Sequence, residues 1–205
     1  MYRCEAASIE GFVQQLAVSY LLNGYFHFVA GRIPEDKDPG AIDATLIQRY
    51  EINMSKWTRA RLKKQGRAGV QYLRHGRIFI IVATEGKHRF FERERSRDIR
   101  HTGLECFGYR VGCYQRPNGR WHPSVRIAPR KFKRLRRWFR RNALRYDEAE
   151  IEQKLGSLPF APFAAVARQY VSLLHTVNRE RKRAGVSLIS ASCVRRRRRP
   201  VPVFA

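Results

Sequence analysis

The run Ile78-Phe79-Ile80-Ile81-Val82 is continuously apolar and rich in β-branched residues. A run of this kind favours a strand that is buried on both faces of a sheet. Residues 70–74 form a second strand-like segment just before it, and His75-Gly76 offers a tight turn between the two. The stretch 70–83 therefore predicts a β-hairpin whose second strand lies in the centre of a sheet.

The segments around this hairpin predict an α+β fold, because helical and strand patterns are interspersed and then give way to helices alone. Helices are predicted at residues 8–22, 55–65, 147–155 and 163–181, around Ile42, Leu46 and Tyr50, and from Pro129 to about residue 141; further strands are predicted at 25–33, 104–115 and 121–127. We expect an antiparallel sheet of about five strands with packed helices. The predicted domains are a sheet domain at 1–128, a helical region at 129–186 and an Arg-rich tail at 187–205.

The composition describes a folded protein with a very large positive charge. The 205 residues include 42 Lys+Arg against 17 Asp+Glu, a formal net charge of +25, and 43% of them are hydrophobic. That apolar content is enough to bury a core, which a disordered polycation could not do. The charge favours a polyanionic partner over the substrate of a typical small-metabolite enzyme.

Several classes of protein are disfavoured by what the sequence lacks. It has no run of the roughly 18 to 20 apolar residues that a bilayer span needs, and Met1-Tyr2-Arg3-Cys4-Glu5 does not resemble the start of a signal peptide. The four cysteines form no C-x-x-C pair, which is typical of reduced thiols. No P-loop, G-x-G-x-x-G or H-E-x-x-H motif is found. We therefore expect a cytoplasmic protein without a cofactor, a structural metal or a membrane partner.

Basic segments are the strongest functional signal. Residues 130–141 hold eight cations with no interleaved acid, residues 56–67 form a second patch, and residues 195–199 form an Arg tail that we expect to be disordered when free. A solvated charged face is the alternative interpretation of each. The predicted nucleic-acid contacts are Lys56, Arg59, Arg61, Lys63, Lys64, Arg67, Arg74, Arg77, Arg110, Arg126, Arg130, Lys131, Lys133, Arg134, Arg136, Arg137, Arg140, Arg141, Arg195, Arg196, Arg197, Arg198 and Arg199.

A catalytic alternative rests on a segment that is dense in acids and histidines. Metal-dependent nucleases need carboxylates that converge on one or two cations, and Mg²⁺ would be expected only in that case. The interleaved arginines of residues 89–100 also offer each acid a simple ion-pair partner. The candidate catalytic residues are His88, Glu92, Glu94, Asp98, His101 and His122.

Four stretches of the chain are familiar as a set: Gly31-Arg32-Ile33-Pro34-Glu35-Asp36-Lys37-Asp38-Pro39, Val70-Gln71-Tyr72-Leu73-Arg74-His75-Gly76-Arg77, Leu158-Pro159-Phe160-Ala161-Pro162-Phe163 and Thr176-Val177-Asn178-Arg179. With them the chain resembles uncharacterised basic bacterial proteins that are associated with mobile genetic elements. This resemblance implies an association with mobile genetic elements, and it implies no activity.

A second resemblance is to the palm and thumb of reverse transcriptases. Residues 70–82 resemble the strand pair that carries Tyr-x-Asp-Asp in those enzymes, and Phe107-Gly108-Tyr109 is similar to their primer-grip turn before a basic helix. The turn in this chain reads Arg74-His75-Gly76-Arg77, so the metal-binding aspartate pair is missing and polymerase activity is not implied.

Two functions follow as hypotheses. The first is a nucleic-acid-binding accessory subunit of a ribonucleoprotein or mobile-element complex, with structured RNA slightly favoured over DNA, because the arginine excess and the aromatic strands suit stacking and shape readout. The second is a metal-dependent nuclease or strand-transfer enzyme of a mobile element. A structural protein whose basic face meets other proteins or ribosomal RNA is a third interpretation.

Overall fold

The predicted hairpin forms the centre of a four-stranded antiparallel sheet. The computed structural model describes residues 2–194 and 198–204. In it, β2 (Val70–His75) and β3 (Ile78–Ala83) pair antiparallel, with Val70 opposite Ala83. β1 (His27–Arg32) pairs with the other side of β3, and β4 (Arg97–Asp98) pairs with β1. The order β2-β3-β1-β4 makes β3 an internal strand, as its apolar run predicted.

Both faces of β3 are buried, which explains why its sequence is continuously apolar. On one face Ile81 and Ala83 join a cluster with Tyr50, Tyr72 and Phe90. The alternate residues Ile80 and Val82, on the other face, are equally inaccessible to solvent. Because side chains alternate across a strand, only an unbroken apolar run can supply both of these layers.

The helices around this sheet begin at side-chain caps. α2 (Pro39–Arg49) begins after Asp38 and α3 (Lys56–Lys64) after Ser55, and each cap side chain accepts a backbone N–H of the first turn. α4 (Arg89–Arg93) is a single short turn capped by His88. Ser55 thus caps the helix that was predicted at residues 55–65.

The predicted N-terminal helix is interrupted. α1 (Ile9–Gln14) continues directly into a π-helical segment at Gln15–Tyr20 and a 3₁₀ turn at Leu21–Asn23. Gly24 ends the segment with a φ of 86°, a left-handed conformation that glycine adopts without the steric cost of a side chain.

A second, three-stranded antiparallel sheet takes up the strands that follow. β5 (Leu104–Cys106), β6 (Tyr109–Gln115) and β7 (Trp121–Ile127) lie in the order β5-β6-β7. The predicted α+β class is thus confirmed, with strands in two sheets of four and three where one sheet of about five was expected.

The last third of the described chain is helical. α5 (Pro129–Asn142) begins with Pro129 in its first turn, where the missing N–H of proline is tolerated. α6 (Glu148–Gly156) has a complete capping box between Asp147 and Glu150. α7 (Ala164–Arg183) is followed by Gly185 at a φ of 68°. α5 packs on α7, and Phe139 of α5 and Val177 of α7 are fully buried.

The chain divides into two compact units. The first comprises Met1–Leu104, Gly112–Pro123 and Pro200–Ala205, and the second comprises Glu105–Val111 and Ser124–Arg199. The sequence prediction set its first boundary at residue 128; these units instead place residues 105–111 and 124–128 with the helices. Residues 200–205, which were predicted as part of the tail, belong to the first unit.

The segment predicted as an Arg-rich tail contains packed residues on both sides of its arginines. Ile189 and Val194 are buried, and the side chain of Gln14 exchanges hydrogen bonds with the backbone of Val201. Arg195, Arg196 and Arg197 lie outside the described residues. Among the helices of residues 2–194 and 198–204, none combines the length and apolar character that a membrane span requires.

Candidate nucleic-acid interface

α5 presents its cations as a ridge with further cations on both sides. With about 3.6 residues per turn, positions i, i+4, i+7 and i+11 fall on one line along a helix. In α5 that line, here called the arginine ridge, is formed by Arg130, Arg134, Arg137 and Arg141. The opposite side carries Phe139, which is fully buried. At about 1.5 Å per residue the ridge extends roughly 16 Å, so it offers an arginine about every 5 Å.

Two concave surfaces flank the ridge, both within the second unit. The first, the tryptophan groove, has a volume of about 560 Å³. The second, the α5–α7 groove, has a volume of about 460 Å³. The tryptophan groove is lined by Lys131, Arg134, Leu135, Arg137, Trp138, Phe139, Arg141, Asn142, Arg145 and Lys154. The α5–α7 groove is lined by Lys133, Arg136, Arg137, Arg140, Thr176, Arg179, Glu180 and Arg183. Arg137 borders both.

The charge of these surfaces is almost uncompensated. Within the part of the chain that the structure describes, no cation of α5 forms an ion pair with a carboxylate. The one carboxylate in either lining is Glu180, which lies 3.6 Å from Arg183. Cations three and four positions apart on a helix repel one another. The repulsion within α5 is therefore not offset by any carboxylate of the described residues.

Trp138 supplies an aromatic wall to the tryptophan groove. Its ring lies edge-on to Phe139 with centroids 5.0 Å apart, and it faces Tyr146 at 5.6 Å. The Lys154 ammonium lies 5.5 Å from the Trp138 centroid, within the range of a cation–π contact. A half-buried indole beside arginines is the combination that single-stranded nucleic-acid sites use for stacking and phosphate contact.

A second basic surface lies on α3, in the first unit. None of its residues is buried, and its cations Lys56, Arg61, Lys63 and Lys64 are exposed. Trp57 is 83% exposed, more than any other large hydrophobic side chain in the described residues. A solvated tryptophan among cations contributes little to the fold, so it is available for stacking. The half-buried Arg59 and the exposed Arg67 extend the patch.

Arg74, a predicted phosphate contact, instead belongs to the core of the first unit. It is 6% exposed, and its guanidinium bonds both carboxylate oxygens of Asp43 at 2.9–3.0 Å. Glu5 binds its two terminal nitrogens, and the hydroxyl of Tyr72 donates to Asp43. A guanidinium whose donors are all used inside the protein cannot reach a phosphate. The structure removes Arg74 from the interface.

The other scattered arginines of the prediction line neither groove. Arg77 donates to the backbone carbonyls of Pro34, Glu35 and Lys37 and pairs with the Glu35 carboxylate at 2.9 Å. Arg110 is exposed and lies 3.4 Å from Glu105. Arg126 is exposed and donates to Ser124. Arg77 is thus committed to shaping the loop after β1.

Of the predicted Arg tail, the structure describes Arg198 and Arg199. Arg198 is half-buried, and its guanidinium lies 4.9 Å from the ring centroid of Phe163. Arg199 is exposed. Arg195, Arg196 and Arg197 stay sequence predictions, since they fall outside the described residues.

Asp98, the half-buried acid of the catalytic hypothesis, is held in an ion pair. Both of its oxygens accept from Arg100 at 2.7–3.0 Å, and Arg100 also reaches Glu85 at 2.9 Å. Burial acts to raise the pKa of Asp98, but the hydrogen bonds from Arg100 outweigh it and hold that pKa below its usual value. An acid of this kind is ionised and paired. It is suited to fixing the loop and poorly suited to accepting a proton near neutral pH.

Two other candidates are occupied by local contacts. His88 caps α4 through Nδ1, which accepts the Phe90 N–H at 3.0 Å, and burial lowers the pKa of its ring. Glu94 accepts the hydroxyl of Tyr50. Both side chains also lie beside Tyr50, whose ring centroid is 6.4 Å from that of His88, and both serve the local fold.

The last three candidates lie apart in their own surroundings. Glu92 is exposed, His101 lies edge-on to Trp121 and His122 lies beside Tyr114. In residues 2–194 and 198–204, no three His, Cys, Asp or Glu side chains come together as potential metal ligands. The structure does not bring the six candidates into one site.

Four groove cations were not among the predicted contacts. Arg179 and Arg183 line the α5–α7 groove, and Arg145 and Lys154 line the tryptophan groove. The i, i+4 spacing of Arg179 and Arg183 places them on one side of α7, and that signal could have found them. Arg181, between them, points inward and donates to the carbonyls of Ala143 and Tyr146. Arg145 and Lys154 lie in mixed-charge surroundings that carry no local signal.

A comparison of this chain with known proteins finds no matching family model, no matching curated protein and no matching solved structure.

Proposed function

We propose that this chain is a nucleic-acid-binding protein that holds a phosphate backbone along the arginine ridge and its two grooves. The observation that carries the proposal is the concentration of unpaired cations on α5, which stay on one side of the helix while the other side packs on α7. Guanidinium groups bind phosphate oxygens through two parallel hydrogen bonds, which suits arginine to this task.

The dimensions of the ridge fit a nucleic-acid strand. Because the phosphates of a duplex strand wind around the helix axis, a straight ridge of roughly 16 Å runs beside only a few consecutive phosphates of one strand. The ridge and its flanks hold enough cations to contact each of them. Small anionic metabolites carry too few charges to neutralise such a surface.

Structured RNA is the favoured ligand, and an accessory role in a ribonucleoprotein or mobile-element complex is the favoured setting. Trp138 and Trp57 offer stacking surfaces beside cations, and unpaired bases of RNA loops and bulges are the groups that such surfaces bind. The resemblance to basic proteins of mobile elements supports the setting.

The experiment is a binding titration of the full chain with a labelled RNA hairpin, a single-stranded RNA and a duplex DNA, each at several salt concentrations. The test variant is Arg134→Glu/Arg137→Glu/Arg141→Glu, which reverses three of the four ridge charges. We expect its RNA affinity to fall by about 100-fold or more at ~0.15 M salt, since each lost phosphate contact costs roughly five-fold there.

The matched control is Arg93→Glu/Arg95→Glu/Arg120→Glu, which makes the same change of net charge at exposed sites of the first unit. Equal losses in both variants would mean that only net charge matters, and the proposed interface would be withdrawn. Unchanged affinity in the ridge variant would favour a surface that meets other proteins. Tighter binding to duplex DNA than to the RNA hairpin would overturn the choice of RNA.

A further inference from the structure

A polar cleft of about 410 Å³ lies in the first unit, against α3, and the interface on α5 does not use it. One wall carries Lys56, Arg59 and Lys63, which follow the i, i+3, i+7 spacing of one helix face. In the described residues these three cations form no ion pair with a carboxylate, and no carboxylate lines the cleft. A concave wall of this composition is suited to a small anion.

The opposite wall is built from the π-helical segment. Gln15, Ser19 and Tyr20, three of its six residues, line the cleft. A π turn changes the spacing of side chains along a helix and is found most often at functional sites. Here it turns a hydroxyl, an amide and a phenol toward the same cavity as the cations of α3.

The base of the cleft is aromatic and neutral. Tyr25 lies 5.8 Å from Tyr20, ring centroid to centroid, and the Gln71 amide lies 3.5 Å from the Tyr25 hydroxyl. Thr84 lines the same region and accepts the Gly69 N–H at 2.9 Å. The buried Gln71 amide is used inside the protein, since its oxygen also accepts the Tyr2 hydroxyl at 2.9 Å. Gln15 is the other glutamine of the lining, and a side-chain amide offers a donor and an acceptor together, which is the pattern that matches a base edge. A ligand with an anionic half and a neutral half would therefore meet the cations of α3 with the first and the neutral base of the cleft with the second.

Arg59 lines the cleft together with Tyr20. Its Nη1 donates to the Met54 carbonyl, which anchors the guanidinium at the edge of the cleft. Its charge also acts on the Tyr20 phenol, although burial is the larger effect and raises the pKa of that group above its usual value. Tyr20 is therefore a neutral hydroxyl at physiological pH and lies close enough to Arg59 to feel its charge.

We propose that this cleft binds one nucleotide, with the phosphate on Lys56, Arg59 and Lys63 and the base against Tyr25 and the amide of Gln15. Its volume lies within the roughly 300–1,000 Å³ of small-molecule sites. The nucleotide is either a free mononucleotide or the 5′-phosphorylated end of a strand, because both carry the same phosphate and base. This site does not depend on the interface on α5.

The test is calorimetric titration of the full chain with AMP, GMP, CMP and UMP, with inorganic phosphate alone, and with a short RNA carrying either a 5′-phosphate or a 5′-hydroxyl. We expect Lys63→Glu to weaken binding of the preferred mononucleotide by about ten-fold or more, since a hydrogen bond to a charged group is lost. Lys64→Glu changes an exposed neighbour that does not line the cleft, and its expected effect is below about two-fold. Lys63→Arg keeps the positive charge and should retain the binding.

The outcomes distinguish a free nucleotide from a strand end, and they distinguish the cleft from the interface on α5. A preference for the 5′-phosphorylated RNA over every mononucleotide would identify a strand end, and the reverse would identify a free nucleotide. Inorganic phosphate binding as tightly as the nucleotides would overturn the base site, and no binding or equal losses in the two glutamate variants would overturn the whole proposal. The ridge variant Arg134→Glu/Arg137→Glu/Arg141→Glu should keep its mononucleotide affinity, so failure of one proposal is distinguishable from failure of the other.

Discussion

Replacing Arg137 by Gln is expected to stabilise the protein and weaken its binding to nucleic acid. Arg137 lies at the centre of the arginine ridge, borders both grooves and has cations at both i±3 and i±4. Those neighbours are Lys133, Arg134, Arg140 and Arg141. Glutamine has nearly the same helix propensity as arginine, so the change removes charge and little else.

The stability gain follows from the four repulsive pairs that this change removes. A like-charged pair three or four positions apart costs about 0.2–0.5 kcal/mol, so the four together cost about 1 kcal/mol at low salt. In a protein of this size that corresponds to a rise in Tm of about 3 °C. At 1 M salt the Debye length is about 3 Å, shorter than the separation of the side chains, and the gain should disappear.

The binding loss follows from one phosphate contact. The slope of log affinity against log salt should become shallower by about 0.9 on a duplex and about 0.7 on a single strand, and affinity at ~0.15 M salt should fall about five-fold. Thermal melts at 20 mM and 1 M NaCl measure the first effect, and anisotropy titrations across a salt series measure the second.

Arg120→Gln is the control. Arg120 lies in the exposed turn between β6 and β7, and its replacement removes the same charge as Arg137→Gln does. It should change neither the Tm nor the salt slope appreciably. An unchanged or lower Tm for Arg137→Gln at low salt would refute the repulsion argument. An unchanged salt slope would refute the contact between Arg137 and a phosphate.

Three further outcomes concern the fold. Arg74→Met leaves the Asp43 carboxylate buried without its partner and should lower the free energy of unfolding in urea by about 3–5 kcal/mol; a loss below about 1 kcal/mol would contradict the buried pair. Burial lowers the pKa of His88 in the folded state, so the unfolded chain binds the proton more readily and stability should fall as pH drops below about 6.5. His88→Asn, which keeps a cap for Phe90, should flatten urea-melt stability in that window; an unaltered profile would exclude His88 as the cause. Burial raises the pKa of Cys106 to about 12, so iodoacetamide at pH 8 should leave it unmodified by mass spectrometry, and rapid labelling would show that the thiol is accessible.

The α5 helix shows which features of the candidate interface the local sequence can predict. Its start at Pro129, its apolar side and its cationic arc all depend on residues within one or two turns, so they can be predicted from the sequence. The two grooves cannot be predicted in this way. The α5–α7 groove exists because α7 packs beside α5 and brings Arg179 and Arg183 next to Arg136 and Arg140. The tryptophan groove exists because Arg145 and Lys154 lie beside α5, and no local pattern encodes either arrangement.

The acidic and histidine-rich segment shows the opposite limit. Its residue types suit a nuclease centre, but whether carboxylates converge depends on the direction in which each side chain leaves the backbone. In the structure Arg100 draws Asp98 and Glu85 to itself, while His88 turns back to cap its own helix. The interleaved arginines were a sign of this arrangement, since a nearby guanidinium competes with any metal for the same oxygens.

By itself the sequence determined the elements whose causes are local: the 70–83 hairpin with its internal apolar strand, the caps at Ser55 and Asp147, and the charged arc of α5. The tertiary structure alone decided the role of each arginine. Arg74 and Arg137 have the same side chain, yet Asp43, 31 positions away, draws the first into the core, while the second forms no ion pair within residues 2–194 and 198–204. The free energy of a charge depends on what surrounds it in space, and only the folded chain sets those surroundings.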